Sequence, residues 1–294
     1  MALLASIPSP SSGELAVGPL TLHAYGFMLL LGICAAVVLT GIRWTRRGGD
    51  WDLVLRAAMW SVVGGIIGAR LYHVATSWSE IGDPKWKGVF EIWNGGLGIW
   101  GAVFGGALAV AIVVHRSEES VWAFFDAAAP GVLLAQAIGR WGNWFNQELF
   151  GKPTNLPWGL EIDTEKASLA GFLGSNTFHP LFLYESLWCL LGVAVLLLVD
   201  RRFDIRPPGI FWLYVAWYTL GRVFFEQLRV DEAHEIFGLR LNSYVAAALF
   251  LIAVFGFVRS QRTKGYRPRG PRKKPPPKPT RTMAIPKGRV RPRR

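Results

Sequence analysis

Apolar residues run along this chain in blocks of about 20, the length a helix needs to cross a bilayer core, with short polar segments between them. Seven blocks stand out, at roughly 22–42, 53–75, 93–115, 121–139, 180–199, 209–228 and 242–258. Basic residues mark alternate gaps. Arg43, Arg46 and Arg47 follow the first block, Arg116 the third, and Arg201, Arg202 and Arg206 the fifth; a basic tail follows the seventh. The other gaps, around 76–92, 151–178 and 229–241, mix both signs. The positive-inside rule then puts all four basic segments on the cytoplasmic side. The pattern predicts an all-α polytopic membrane protein of about seven transmembrane helices, with the N-terminus outside and the C-terminus cytoplasmic. Residues 1–20 form an outer-face leader, 21–258 the helical body, and 259–294 the tail.

Composition agrees with this class. Of 294 residues 51% are hydrophobic, and the mean hydropathy is +0.29, more apolar than a soluble domain. The formal charge of +12 would suggest nucleic acid if it were spread over the body. It is not: residues 259–294 hold fifteen Lys and Arg and no acid, which leaves the body at −3. No nucleic-acid partner is therefore expected. The tail (PRGPRKKPPPKP) has too little apolar residue for a core and is expected to be disordered, drawn to anionic headgroups or to a partner. Cys34 and Cys189 both lie in apolar blocks and are expected to be buried thiols. No Cys/His spacing suits a metal, and the N-terminus lacks the basic n-region of a cleaved signal peptide.

Glycines recur at helical spacing, as Gly64, Gly65 and Gly68 in the second block and Gly101 and Gly105 in the third, which predicts close helix packing in lipid. Gly95, Gly96 and Gly98 are denser than packing needs and suggest a backbone that bends where something polar approaches. Nearby, Arg70 either snorkels to the interface or pairs with Glu91.

Three polar clusters break the apolar pattern where charge is expensive. The first is GRWGNWFNQELFG, Gly139 to Gly151, at the end of the fourth block. Arg140, Asn143 and Asn146 are spaced by three, so a helical turn stacks them on one face. A cation with amide donors at the lipid–water boundary suits a phosphate; the alternative is an aromatic belt with a snorkelling arginine. The second cluster is Tyr218, Arg222, Glu226 and Arg229, again one helical face. Arg222 and Glu226 either form a structural ion pair or hold an arginine ready for an anionic ligand. The third is HPLFLYES. Pro180 fits a first helical turn after His179, with Tyr184 and Glu185 one turn in, and capping competes with a role in a site. Tyr25, near the outer end of the first block, is either an aromatic anchor or part of the site. His23 and His234 give no signal beyond exposure.

These clusters resemble the signatures of the bacterial prolipoprotein diacylglyceryl transferases. In GRWGNWFNQELFG, Arg140, Asn143, Asn146, Glu148 and Gly151 match the family's G-R-x-G-N, N-x-E and G positions. HPLFLYE matches H-P-x-x-L-Y-E through His179, Pro180, Leu183, Tyr184 and Glu185. Tyr218, Arg222, Glu226 and Arg229 match the family's late Tyr-Arg-Glu-Arg helix, and Tyr25 its early tyrosine. The resemblance covers about residues 20–258. It implies an outward-facing site in a multi-pass bacterial inner-membrane protein. It implies transfer of the diacylglyceryl group of phosphatidylglycerol to the lipobox cysteine of a prolipoprotein signal peptide, with glycerol 1-phosphate released. No metal or organic cofactor is implied. The family commonly carries a His-Gly-Gly in the third span, its His a suggested base; here Trp100 stands in its place.

On this resemblance Arg140, Arg222, Glu226 and Tyr25 are the catalytic candidates. Arg140, Asn143, Asn146, Glu148, Gly151, His179 and Arg229 are the substrate-binding ones. Arg140 is expected to grip the phosphate with Asn143 and Asn146, and Arg222 to stabilise the leaving phosphate or the thiolate. Glu226 or Glu148 orients the arginines or takes the proton. A small-solute transporter is the rival class, since buried Arg and Glu also mark transport paths, and a non-enzymatic lipid-binding protein is a second. Polarity gathered at one side and the lack of an internal repeat speak against transport.

Overall fold

The computed structural model describes residues 6–17, 20–231, 235–236 and 238–262. The tail beyond residue 262 and His234 lie outside them.

Among the described residues, seven long helices make up the body: α1 (Ala24–Arg46), α2 (Trp51–Thr76), α4 (Ile99–Arg116), α5 (Val121–Asn146), α7 (Leu181–Arg202), α8 (Gly209–Glu226) and α9 (Leu241–Arg262). Two short helices, α3 (Lys85–Gly88) and α6 (Thr164–Leu169), lie in connections. Six of the long helices are apolar and long enough to cross a membrane. The exception is α8, whose 18 residues include Arg222 and Glu226 beside two Trp and two Tyr.

Boundaries moved where local chemistry decides them. The third block begins as helix only at Ile99, because Ile92–Asn94 form a 3₁₀ turn and Gly95 and Gly96 take φ of 90° and 72°, which glycine adopts without strain. The fourth block continues as helix to Asn146, so GRWGNWFN forms the last two turns of α5. Gln147, left-handed at φ 52°, ends it. Asp50 caps α2 and Ser120 caps α5, each side chain accepting a backbone N–H.

Small residues set the helix spacing, as the glycine pattern predicts. A Cβ on Gly68 would stand 2.3 Å from the Gly101 carbonyl, and one on Gly105 2.3 Å from that of Gly64, so α2 and α4 run backbone to backbone. Helices α1 and α5 do the same through Gly32 against Ala135 and Gly131 against Ala36. Helices α7 and α8 are joined by Trp188 and Trp217, stacked at 4.4 Å, each indole N–H bonded to the other's carbonyl.

At one end of the bundle, Arg43 is buried and donates to the carbonyls of Asp126 and Ala127 and to Asp200, which also takes Arg47. Asp126 in turn accepts the N–H of Phe211 at the start of α8. Two of the arginines that mark orientation thus also pin α1, α5, α7 and α8 together. Cys189 is buried as expected, whereas Cys34 is exposed on α1 and is not a core thiol. At the opposite end a small head covers the bundle. Strands β3 (Leu160–Glu161) and β4 (Thr177–Phe178) pair, and Phe150, Leu160, Ile162, Ala167, Phe178 and Phe182 form its core. The leader is part of it: Ile7 bridges Leu160, and a hairpin, β1 (Glu14–Val17) with β2 (Leu20–His23), leads into α1. A last hairpin, β5 (Glu235–Ile236) with β6 (Leu239–Arg240), runs into α9.

Candidate functional site

Under the head, the C-terminal ends of α5 and α8 meet the N-terminal ends of α7 and α9. Helices α5, α7 and α8, the turn after α8 and β6 contribute ionisable side chains that alternate in sign, and α9 adds Asn242. The Arg140 Nη2 atom lies 2.5 Å from Glu185 Oε2, and Arg222 Nη1 lies 3.8 Å from the other oxygen of the same carboxylate. Arg222 also donates to Glu226 Oε2. The remaining Glu226 oxygen accepts from Asn242 Nδ2 at 3.1 Å and has Arg240 Nε 3.2 Å away. Arg240 Nη2 then donates to the carboxylate and carbonyl of Asp231, and Arg229 Nε to Asp231 at 2.7 Å. Four arginines face three carboxylates. Glu226 is 1% exposed, and these partners offset the cost of burying a carboxylate so deeply. Burial alone would raise the Asp231 carboxyl, but the bond to Arg229 and the charges of Arg229 and Arg240 outweigh it and hold the group below the usual carboxylate value.

Local packing fixes the first pair. Trp141 donates to Ser186 Oγ, which donates to the Ala137 carbonyl, so one turn of α5 is tied to α7 beside Arg140 and Glu185. Tyr218 of α8 adjoins Arg140. A cleft between α7 and α8 is lined by Glu185, Cys189, Tyr218 and Arg222 among others.

The residues expected to help Arg140 take other partners. Asn143 is buried and donates to Glu148 Oε1 at 2.7 Å. Asn146 turns its side-chain oxygen to Gly13 and gives its carbonyl to Lys166. The i, i+3 spacing does put the three on one side of α5, but the left-handed Gln147 folds Glu148 back onto Asn143, and the leader, held by the Gln147 side chain at the Pro10 carbonyl, covers Asn146. Tyr25 packs on Gly142 and lies within electrostatic reach of both Glu148 and Arg140. Gly151, His179 and Arg229 do come together. Gly151 donates to the His179 carbonyl and bridges Arg229, and a Cβ on Gly151 would fall 2.7 Å from that of His179. The His179 ring stands 3.4 Å from the Tyr184 hydroxyl, too far for a strong bond. Arg70 neither snorkels nor pairs with Glu91. It donates to the carbonyls of Gly88, Val89, Gly95 and Gly96, so the polar group the glycines admit is this guanidinium. Trp100 is half exposed on α4.

The spacing of motifs did not single out Glu185 as the hub of the arginine pair, and it gave no sign of Asp231, Arg240 or Asn242. One signal existed for Arg240: an arginine just ahead of an apolar block, on the side where basic residues are otherwise offset by acids.

The family model for prolipoprotein diacylglyceryl transferase matches residues 14–259. The phosphatidylglycerol–prolipoprotein diacylglyceryl transferase of Streptomyces griseus subsp. griseus is 49% identical over 264 residues, 89% of this chain and 79% of that protein. Transferase 2 of Streptomyces coelicolor is 50% identical over 255 residues, covering 85% and 80%. The Cutibacterium acnes transferase is 48% identical over 262 residues, covering 88% of each.

Proposed function

Because the chain belongs to the prolipoprotein diacylglyceryl transferase family, we propose that its arginine–carboxylate ladder is where phosphatidylglycerol gives up its diacylglyceryl group. The chain is a multi-pass bacterial membrane enzyme, and its acceptor is the lipobox cysteine of a prolipoprotein. A thiolate sulfur attacks the glyceryl carbon that bears the phosphate. A carbon–sulfur bond forms, the carbon–oxygen bond breaks, and its electron pair leaves on the phosphate as glycerol 1-phosphate. Two needs follow: fixed donors for the phosphate oxygens as their charge grows, and an acceptor for the thiol proton.

The observation that carries the assignment is Glu185 held between Arg140 and Arg222, from two different helices. That carboxylate keeps two guanidinium groups side by side, as a phosphate would, and an entering phosphate can take over its donors. Arg140 grips the phosphate of the bound lipid; Arg222 stabilises the departing one. Glu226 orients Arg222. Its two oxygens already face Arg222, Asn242 and Arg240, so it is a poor proton acceptor. Glu148 is better placed: it is exposed, its bond to Asn143 occupies one oxygen, and Tyr25 lies near it. Glu148 therefore takes the thiol proton, and Trp100 stands where the resemblance implies a histidine. Gly151, His179 and Arg229 brace the rim from the head. The seven long helices and the exposed basic groups opposite the head support seven crossings, with the N-terminus and the site outside and the C-terminus cytoplasmic.

The test is the full chain in phosphatidylglycerol-containing nanodiscs with a lipobox peptide, read as the mass gain of the peptide thiol. Arg140→Ala is expected to lose at least about 100-fold in turnover, the scale of a lost transition-state donor, with Arg140→Lys between it and the parent. Near-parental turnover in Arg140→Ala would remove the phosphate-grip reading.

A further inference from the structure

We propose that Arg240 is a positioning residue for the reaction: its charge offsets Glu226, so that Arg222 can present a net positive charge to the phosphate. This rests on the reading that Arg140 and Arg222 receive that phosphate. Arg140 and Arg222 with Glu185 and Glu226 make a neutral foursome. Arg229 and Asp231 cancel as a pair. Arg240 is the odd cation, and it stands at Glu226. Without it, a phosphate monoanion would enter a cluster of zero net charge; with it, the cluster carries the one positive charge that the incoming anion neutralises.

The geometry favours charge over hydrogen bonding at this contact. Arg240 Nε lies 3.2 Å from Glu226 Oε1, yet its N–H makes no aligned hydrogen bond among the described residues, and Glu226 Oε1 takes its directed bond from Asn242. The bonds Arg240 does make, from Nη2 to the carbonyl and carboxylate of Asp231, hold it against the turn that follows α8. Arg240 is 8% exposed, so its field at Glu226 is weakly screened. It sits at the end of β6, one residue ahead of α9. The loop that joins the last two long helices thereby sets the charge of a site built by α5, α7 and α8.

The experiment compares Arg240→Gln, Arg240→Lys and the double variant Arg240→Gln/Glu226→Gln as full chains in nanodiscs. It records kcat, KM for phosphatidylglycerol and inhibition by glycerol 1-phosphate. Arg240→Gln is expected to weaken glycerol 1-phosphate inhibition on the order of tenfold, the effect of one unit charge near a partly screened anion, with a matching rise in KM. Arg240→Lys, which keeps the charge but not the paired bonds to Asp231, should recover most of that loss. The double variant, neutral at both positions, should bind glycerol 1-phosphate better than Arg240→Gln alone, seen as stronger inhibition. A lysine variant as poor as the glutamine one, or a double variant worse than the single, would mean a packing role and overturn the proposal. If Arg240→Gln does not fold, Arg240→Lys is compared with the parent: inhibition close to the parent's supports the charge role, and a loss on the order of tenfold overturns it. Arg222→Gln in the same assay separates the two levels. Unchanged inhibition there sinks the phosphate site itself; lost inhibition there with none lost in Arg240→Gln sinks only the role of Arg240.

Discussion

At the scale of single residues, bonding saturation divides the acids into two kinds. Glu226 and Glu185 are buried and spend their oxygens on arginines. Glu148 is exposed and has bonding capacity left. A general base contributes about 10²–10⁴-fold, so Glu148→Gln should cut kcat/KM about 100-fold at pH 7. Because what it loses is thiol deprotonation, the variant should recover as pH approaches about 8.5, where a free thiol ionises unaided. A pH profile parallel to the parent's would remove Glu148 from the proton path. Arg140, Asn143, Arg222 and Glu226 were legible in the sequence because an ionisable or amide side chain in an apolar block has few other reasons to exist. Which partner each takes was not legible. Helical spacing puts Arg140, Asn143 and Asn146 on one side of α5, but it says nothing of the left-handed Gln147 that returns Glu148 to Asn143.

Among elements, the close pairs are those whose facing glycines let backbones touch, and the contact is specific to single positions. Gly68 and Gly65 are near neighbours on α2, yet an added Cβ meets the Gly101 carbonyl at 2.3 Å from the first and nothing nearer than 3.5 Å from the second. Overpacking costs about 1–3 kcal/mol, so Gly68→Ala should lower the unfolding temperature by several degrees in detergent while Gly65→Ala leaves it unchanged. Equal shifts in the two would show that the α2–α4 contact is looser than described. The α2–α4 pair matters to the site only indirectly, through the loop that Arg70 holds by four carbonyls. Periodicity found the long helices because lipid requires about 20 apolar residues of each. It misjudged α4 at its start and α5 at its end, because there glycine conformation and polar side chains, rather than hydropathy, decide where the helix runs.

Across the whole molecule, arginines gather at both ends of the bundle but in different states. Under the head, Arg140, Arg222, Arg229 and Arg240 are bound to carboxylates of the site. At the far end Arg43 and Arg47 share Asp200, while Arg46, Arg116, Arg201 and Arg202 are exposed. Paired and buried arginines are part of the folded interior and give anionic headgroups nothing to hold; exposed ones near span ends do. Counted this way, the exposed arginines belong to the end opposite the head, which is what the proposed orientation, with the site away from the cytoplasm, requires. Cysteines introduced one at a time in a Cys34→Ser background, where the buried Cys189 remains, test this directly. Glu165→Cys on the exposed side of α6 should react with a membrane-impermeant maleimide on intact spheroplasts. Arg116→Cys, at the end of α4, should react only after the membrane is opened. The reverse pattern would place the ladder on the cytoplasmic side, and labelling of both without opening would mean that the bundle does not span the bilayer in this register.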